Sequence, residues 1–91
     1  MSQETTPDSN LPVLRVPRGE RRLPPNSLWE NRFHIRSETS NRLYIVAQNK
    51  AKRHWACSCP SYRTRRSCKH LQAVGLPTGE KPYEVRLVEG N

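Results

Sequence analysis

All three cysteines of the chain lie within residues 57–70, and one of its three histidines ends the same stretch. The stretch reads CSCPSYRTRRSCKH, so the pairs Cys57-x-Cys59 and Cys68-x-His70 are separated by eight residues. An odd number of cysteines argues against a complete set of disulfides and favours a metal site or reactive thiols. This spacing therefore favours a fold that brings the two pairs together.

The four side chains form a Cys3His set, which is a standard tetrahedral environment for zinc. Soft sulfur ligands with one nitrogen favour Zn²⁺ over cations that prefer oxygen. Because residues i and i+2 of an extended chain lie on one side, a C-x-C pair can point at one ion. We predict that one structural Zn²⁺ is bound by Cys57, Cys59, Cys68 and His70, which leaves no open position for a catalytic water.

The same residues have other interpretations. The C-x-C pair can be a redox pair, and the C-x-H pair a nucleophile with its base. Each of these leaves the other two groups unused, and no third orienting residue is evident. His54 can replace one ligand in the zinc set; otherwise His34 and His54 are expected to be ordinary surface residues. We favour the zinc site and expect no enzymatic activity.

The length and composition of this chain favour a fold that is stabilised by a metal. It has 91 residues, of which only 33% are hydrophobic, so it can form at most one small domain with a thin core. Chains of this size often need a metal, a disulfide or a partner. No apolar run approaches the roughly 18 residues of a membrane span, and the N-terminus lacks a secretory apolar segment. We expect a cytoplasmic or nuclear protein that is not secreted and has no membrane partner.

The net charge of +8 lies around the Cys/His pattern. Residues 39–79 contain eight basic side chains and no Asp or Glu, whereas the charges of the remaining residues balance. Such asymmetry indicates a polyanionic partner, for which nucleic acid is the prime candidate, and no small-molecule substrate is expected. A solvated basic surface that keeps the protein soluble is the plain alternative. The basic side chains predicted to contact phosphates are Arg63, Arg65, Arg66, Lys69, Lys50, Lys52 and Arg53.

Three segments alternate between apolar and polar residues, which predicts an antiparallel hairpin or meander. They read RFHIRS, RLYIVAQ and RHWACSC. In the second segment Leu43, Ile45 and Ala47 share a face, and in the third Trp55, expected in the core, shares a face with Cys57 and Cys59.

A short helix follows, with Ser67 as N-cap, CKHLQAV as its body and Gly75 as its stop. A further strand is predicted at 83–89. We therefore predict a small α+β zinc finger in which a hairpin precedes a helix (ββα). The finger domain is expected at 29–89, after a flexible proline-rich arm at 1–28.

The stretch CSCPSYRTRRSCKHLQAV resembles the SWIM-type zinc finger, whose motif is C-x-C, a variable loop and C-x-H. Pro60, Tyr62, Leu71 and Val74 extend the resemblance, which covers about residues 33–76. It implies that zinc joins the sheet to the helix, and that the domain binds DNA or other proteins. No ATPase, nuclease or ligase segment accompanies the finger, so the resemblance implies no enzymatic activity.

The favoured function is a structural zinc-binding module that binds nucleic acid, with DNA favoured over RNA and mainly phosphate contacts. The loop between the ligand pairs carries the arginines, and Tyr62 there either packs or stacks on an unpaired base. The alternative is a protein-interaction adaptor that docks on a larger DNA-processing enzyme or an acidic partner. The stretch TGEKPY at 78–83 is expected to be a turn made by Gly79 and Pro82, and a phosphate contact through Lys81 is the less favoured alternative.

Overall fold

A computed structural model describes residues 11–37 and 40–89. The described residues form a small α+β structure with six strands and two short helices. These elements are β1 (Val13–Arg15), β2 (Arg22–Leu23), β3 (Trp29–Arg36), β4 (Leu43–Asn49), β5 (Trp55–Cys57), α1 (Pro60–Arg65), α2 (Lys69–Ala73) and β6 (Arg86–Val88). None of the helices formed by these residues is long and apolar enough to cross a bilayer.

The three alternating segments form the predicted antiparallel meander. Strands β3, β4 and β5 are neighbours in a four-stranded sheet of order β2-β3-β4-β5. Phe33 pairs with Val46, and Val46 pairs with Cys57 across the next ladder. Phe33, Val46 and Trp55 are each 0% exposed, so one face of the sheet carries the centre of the core. The predicted core position of Trp55 is confirmed.

Strand β4 turns to the core the face opposite to the one on which the sequence places Leu43, Ile45 and Ala47. Leu43, Ile45 and Ala47 do share a face, but it is the outer face of the sheet, where Leu43 is 45% exposed. The core side carries Val46 and the fully buried amide Gln48. The Gln48 Nε2 donates to the carbonyl oxygens of Arg53 and Tyr83. These hydrogen bonds offset the free-energy cost of burying the amide. An alternation of apolar and polar residues does not predict a polar residue in the core.

The described part of the N-terminal segment contains strands, where the sequence predicts a flexible arm at 1–28. Strand β1 pairs in parallel with β6, and Leu14 and Val16 are buried. Strand β2 pairs with β3, so this segment extends the sheet of the predicted domain. Residues 1–10 of the predicted arm lie outside the described residues.

The prolines of this segment lie at positions where they do not interrupt pairing. Pro12 and Pro17 lie outside β1, and Pro24 follows β2 directly. A proline at a strand end or an edge costs no ladder hydrogen bond, because its missing N–H has no partner there. Proline density therefore marked the ends of short strands in this segment.

Two short helices follow the meander, where the sequence predicts one. Helix α1 occupies the predicted loop between the ligand pairs; it begins at Pro60, which suits a first helical position, and stops at Arg66 with φ 58°. Helix α2 has Cys68 as its N-cap, so the prediction of Ser67 is wrong. The predicted stop is confirmed, since Gly75 has φ +86°. The strand predicted at 83–89 is present in part, as the three-residue β6 (Arg86–Val88).

Candidate metal centre

The two ligand pairs meet between the end of β5 and the two helices. Cys57 ends β5, Cys59 precedes α1, Cys68 caps α2, and His70 lies in the first turn of α2. Their four ligand atoms all lie within 4.8 Å of one another. The three cysteines are buried and free of disulfides, and His70 is half-buried. The fold thus gathers the four residues that the spacing selected.

The separation of these atoms suits one tetrahedral ion. The Cys57 Sγ lies 3.7 Å from the Nδ1 of His70. With Zn–S near 2.3 Å and Zn–N near 2.0–2.1 Å, tetrahedral ligand atoms are separated by roughly 3.5 Å. The Nδ1 of His70 therefore faces the thiols. Its Nε2 is buried and has no hydrogen-bond partner among the described residues.

Local backbone and packing hold the ligands in place. Cys59 is extended (φ −73°, ψ 158°), the conformation that the following Pro60 favours. The ring of Tyr44 lies 5.2 Å from that of His70 and covers one side of the imidazole. Tyr62 is 5% exposed, and its hydroxyl donates to the carbonyl oxygen of Trp55 at 3.1 Å. Tyr62 therefore packs beneath α1, which is the first of its two predicted roles.

No family model, curated protein or solved structure matches the chain. The SWIM-type resemblance therefore rests on the motif residues themselves. Their geometry supports a coarser statement, that the chain carries a buried Cys3His cluster able to hold a metal ion.

Burial shifts the pKa values of side chains in the Cys3His cluster and so determines their protonation states when no metal is bound. It raises the pKa of the Cys57 and Cys68 thiols, because a thiolate is poorly solvated there. Burial also lowers the pKa of His70, and the neighbouring charge of Lys69 lowers it further. The metal-free site at neutral pH thus holds protonated Cys57 and Cys68 thiols and a neutral imidazole. A divalent cation reverses this preference, since coordinated thiols are deprotonated.

These shifts predict that zinc binding releases protons. Cys57 and Cys68 each give up a proton on binding, and His70, already neutral, gives up none. We expect at least two protons per zinc at pH 7, and an apparent affinity that rises about a hundredfold per pH unit. Calorimetric zinc titrations in two buffers of different ionisation enthalpy measure this number. Release of fewer than one proton would contradict coordination by both thiols.

Six of the seven residues predicted to contact phosphates are exposed. They are Arg63, Arg65, Arg66, Lys69, Lys50 and Lys52. Helix α1 carries the first two, and Lys69 opens α2. The ends of both short helices thus present positive charge beside the Cys3His cluster.

Arg53 is committed to contacts within the molecule. Its Nε and Nη2 donate to the two carboxylate oxygens of Glu84 at 2.7 and 2.8 Å, and its Nη1 donates to Glu30 at 2.6 Å. The hydrogen bonds that Arg53 donates to Glu84 and Glu30 raise the pKa of Arg53, and the bonds accepted from Arg53 lower the pKa of Glu84. No local sequence pattern indicates this pairing, because the two partners of Arg53 are 23 and 31 residues away.

Arg66 is partly engaged as well. Its Nε lies 3.1 Å from a carboxylate oxygen of Glu80, and its guanidinium lies 5.8 Å from the centre of the Tyr62 ring. Its Nη1 also donates to the carbonyl oxygens of Tyr62 and Arg63. Arg66 therefore stabilises the end of α1. It also contributes its positive charge to the basic region around the Cys3His cluster.

The predicted surface position of His54 is wrong. His54 is 6% exposed and forms an isolated bridge with Pro82, inside the turn predicted for TGEKPY. Its ring lies 5.9 Å from that of Trp29 at 88°. His54 is not a member of the Cys3His group, and His34 is half-buried on β3.

Proposed function

We propose that this chain is a structural zinc-binding module of the SWIM type that binds nucleic acid, principally DNA and mainly through phosphates. One Zn²⁺ is held by Cys57, Cys59, Cys68 and His70. The buried thiols, the tetrahedral spacing and the absence of disulfides among these cysteines support the choice of metal.

The proposed role of the ion is structural. Four protein ligands complete a tetrahedral shell, so no position remains for a catalytic water, and we propose no enzymatic activity. The ligands come from the end of β5, the start of α1 and the start of α2, so an ion held by all four ties the sheet to both helices. Structural zinc of this kind contributes on the order of 10–16 kcal/mol in small fingers at pH 7.

The proposed nucleic-acid surface consists of Arg63, Arg65 and Lys69, with Lys50 and Lys52 as an extension. Among the described residues, no carboxylate lies within ion-pair distance of Arg63, Arg65 or Lys69. Cations without carboxylate partners remain available to phosphates and attract a polyanion at long range.

The observation that carries the proposal is this placement of free cations on the two helices that the Cys3His cluster joins. The arginines stand on helices rather than on an unstructured loop, so zinc binding fixes their positions relative to one another. We place the protein in the cytoplasm or nucleus, where nucleic acid is available. A protein-interaction adaptor is the outcome if the zinc-loaded chain binds no nucleic acid at low salt.

A triple substitution of Arg63, Arg65 and Lys69 by alanine tests the proposal. We expect affinity for a nonspecific duplex to fall about tenfold or more at low salt, because three phosphate contacts are lost. The slope of log K against log salt should become shallower by about 2.7. Fluorescence anisotropy at several salt concentrations measures both quantities.

The matched control removes three exposed arginines elsewhere, at Arg15, Arg18 and Arg86. Both variants carry the same net charge, so a general charge effect lowers their affinities equally. Zinc content is measured on each, because Lys69 adjoins His70. Equal affinities of the two variants would contradict the proposed surface, and no binding by the unsubstituted protein would contradict the function.

A further inference from the structure

Trp29 lines two cavities, the first of which lies on the outer face of the sheet. A cavity of about 270 Å³ is lined by Trp29 with Arg32, Ile45 and Ala47. A second cavity, of about 340 Å³, is lined by Trp29 with Lys52, His54 and Arg66. Ala56 borders both cavities. A half-buried tryptophan therefore lines two recesses of similar size.

The surrounding residues leave space beside this indole and hold its backbone. Ala47 and Ala56 are register partners on β4 and β5, and their small side chains leave room on the outer face. The Asn26 Oδ1 accepts hydrogen bonds from the backbone N–H groups of Leu28 and Trp29 at 3.0 and 2.8 Å. The ring contact with His54 fixes the indole further. Trp29 is thus a preorganised aromatic side chain that borders open space.

The charged groups around the cavities are mostly cationic. Arg32 borders the first cavity, whose lining includes no carboxylate among the described residues. The Nη1 of Arg32 donates to the carbonyl oxygen of Pro24 at 2.9 Å. Lys52 borders the second cavity and is exposed. Glu80 also borders it, but its carboxylate is paired with Arg66. An anionic ligand with apolar rings fits this combination.

His54, which lines the second cavity, carries an unused polar atom. The Nδ1 of His54 is buried and has no hydrogen-bond partner in the described part of the chain, and the residue is 6% exposed. A buried polar atom without a partner is costly, and a ligand can relieve that cost by supplying one. The edge of a nucleobase carries both donors and acceptors suited to an imidazole nitrogen.

We propose that Trp29 is a base-stacking residue and that the outer face of the sheet binds single-stranded nucleic acid. Unpaired bases enter the two cavities that Trp29 lines, while Arg32 and Lys52 face the phosphates. Both volumes lie near or below the lower end of the roughly 300–1,000 Å³ of small-molecule sites, which suits one base each. Bases within a duplex do not offer their faces, so this surface selects single strands.

The inference rests on the proposed function and deepens it, because it selects one class of nucleic acid. Arg66 borders the second cavity and directly follows α1, so the stacking surface adjoins the basic helix. A strand that leaves the second cavity meets the cations of α1. The two surfaces together form one path for a strand.

The test compares three ligands of roughly 12 nucleotides with the zinc-loaded full chain: a single strand, its duplex, and an abasic strand with the same phosphates. We expect the unsubstituted protein to bind the single strand more tightly than the abasic strand. Trp29→Ala should lower affinity for the single strand about tenfold and leave the abasic strand unchanged. Trp29→Phe should keep most of the affinity. Leu28→Ala, the neighbouring residue at 64% exposure, is the matched control.

The outcomes separate this inference from the proposed function. Equal, salt-dependent binding of all three ligands would overturn base stacking and leave phosphate binding intact. Absence of binding to any of them would overturn both. If Trp29→Ala loses zinc or fails to fold, Trp29→Phe and the abasic strand still decide the question. Binding of a hydrophobic acidic peptide in place of the single strand would also overturn the inference.

Discussion

Replacing Cys59 with serine is expected to abolish stable zinc binding and to unfold the chain at 25 °C. Serine is close to cysteine in size, but its hydroxyl does not supply the soft thiolate that zinc prefers. Structural zinc contributes on the order of 10–16 kcal/mol, whereas the net stability of a domain is only about 5–15 kcal/mol. Loss of one zinc ligand therefore removes a large part of the free energy that stabilises the folded chain. Far-UV circular dichroism and amide dispersion in NMR, measured with zinc present, report the result.

The same outcome is expected for Cys57→Ser, Cys68→Ser and His70→Ala. The matched control is His34→Ala, which removes an imidazole that lies on β3 outside the Cys3His cluster. That variant should keep one zinc and the dispersion of the unsubstituted protein. A Cys59→Ser variant that folds with full zinc content would contradict the assignment of this thiol as a ligand.

Trp55→Ala is expected to destabilise the zinc-loaded protein by about 3–5 kcal/mol. Trp55 is 0% exposed, so its truncation leaves a large cavity in the core. Its Nε1 also donates to the Tyr83 carbonyl oxygen at 2.7 Å, and this acceptor loses its partner. Denaturant titration in excess zinc measures the change, since the midpoint falls while zinc remains bound.

Two further variants separate the causes. Trp55→Phe keeps an aromatic ring but loses the hydrogen bond, so we expect a smaller loss of about 1–2 kcal/mol. Leu28→Ala removes a side chain that is 64% exposed, and its effect should stay within about 0.5 kcal/mol. A Trp55→Ala effect as small as that of Leu28→Ala would show that this core contributes little beside the metal.

Local patterns were sufficient to predict the centre of this fold. Alternation located β3, β4 and β5, and it placed Trp55, Cys57 and Cys59 on one face. Ligand spacing selected the four residues that the fold gathers. These features succeed because a strand's period and a ligand pair's spacing are set by a few neighbouring residues.

The features that the sequence did not predict depend on distant partners. Strand β1 forms only because β6, near the other end of the described chain, offers an edge. Gln48 is buried because Asn31, Arg53 and Tyr83 satisfy its amide. Such contacts leave no local pattern in the sequence. The proline-rich segment that contains β1 was therefore expected to be flexible, and Gln48 was not assigned to the core.

Charge patterning located a basic region but did not show which cations are free. Arg53 and Arg66 belong to the same acid-free segment as Arg63 and Arg65. The carboxylates that engage them, Glu30, Glu80 and Glu84, lie outside that segment in sequence. Helix α1 was missed as well, because a six-residue stretch rich in arginine resembles a loop.

The most direct test of the account is the metal content of the folded protein. Elemental analysis of protein purified without added metal, and then thermal unfolding with and without a strong chelator, give the answer. We expect one zinc per chain and a large drop in the melting temperature when the chelator is present. A well-folded sample that contains no metal and melts at the same temperature with chelator would contradict the account.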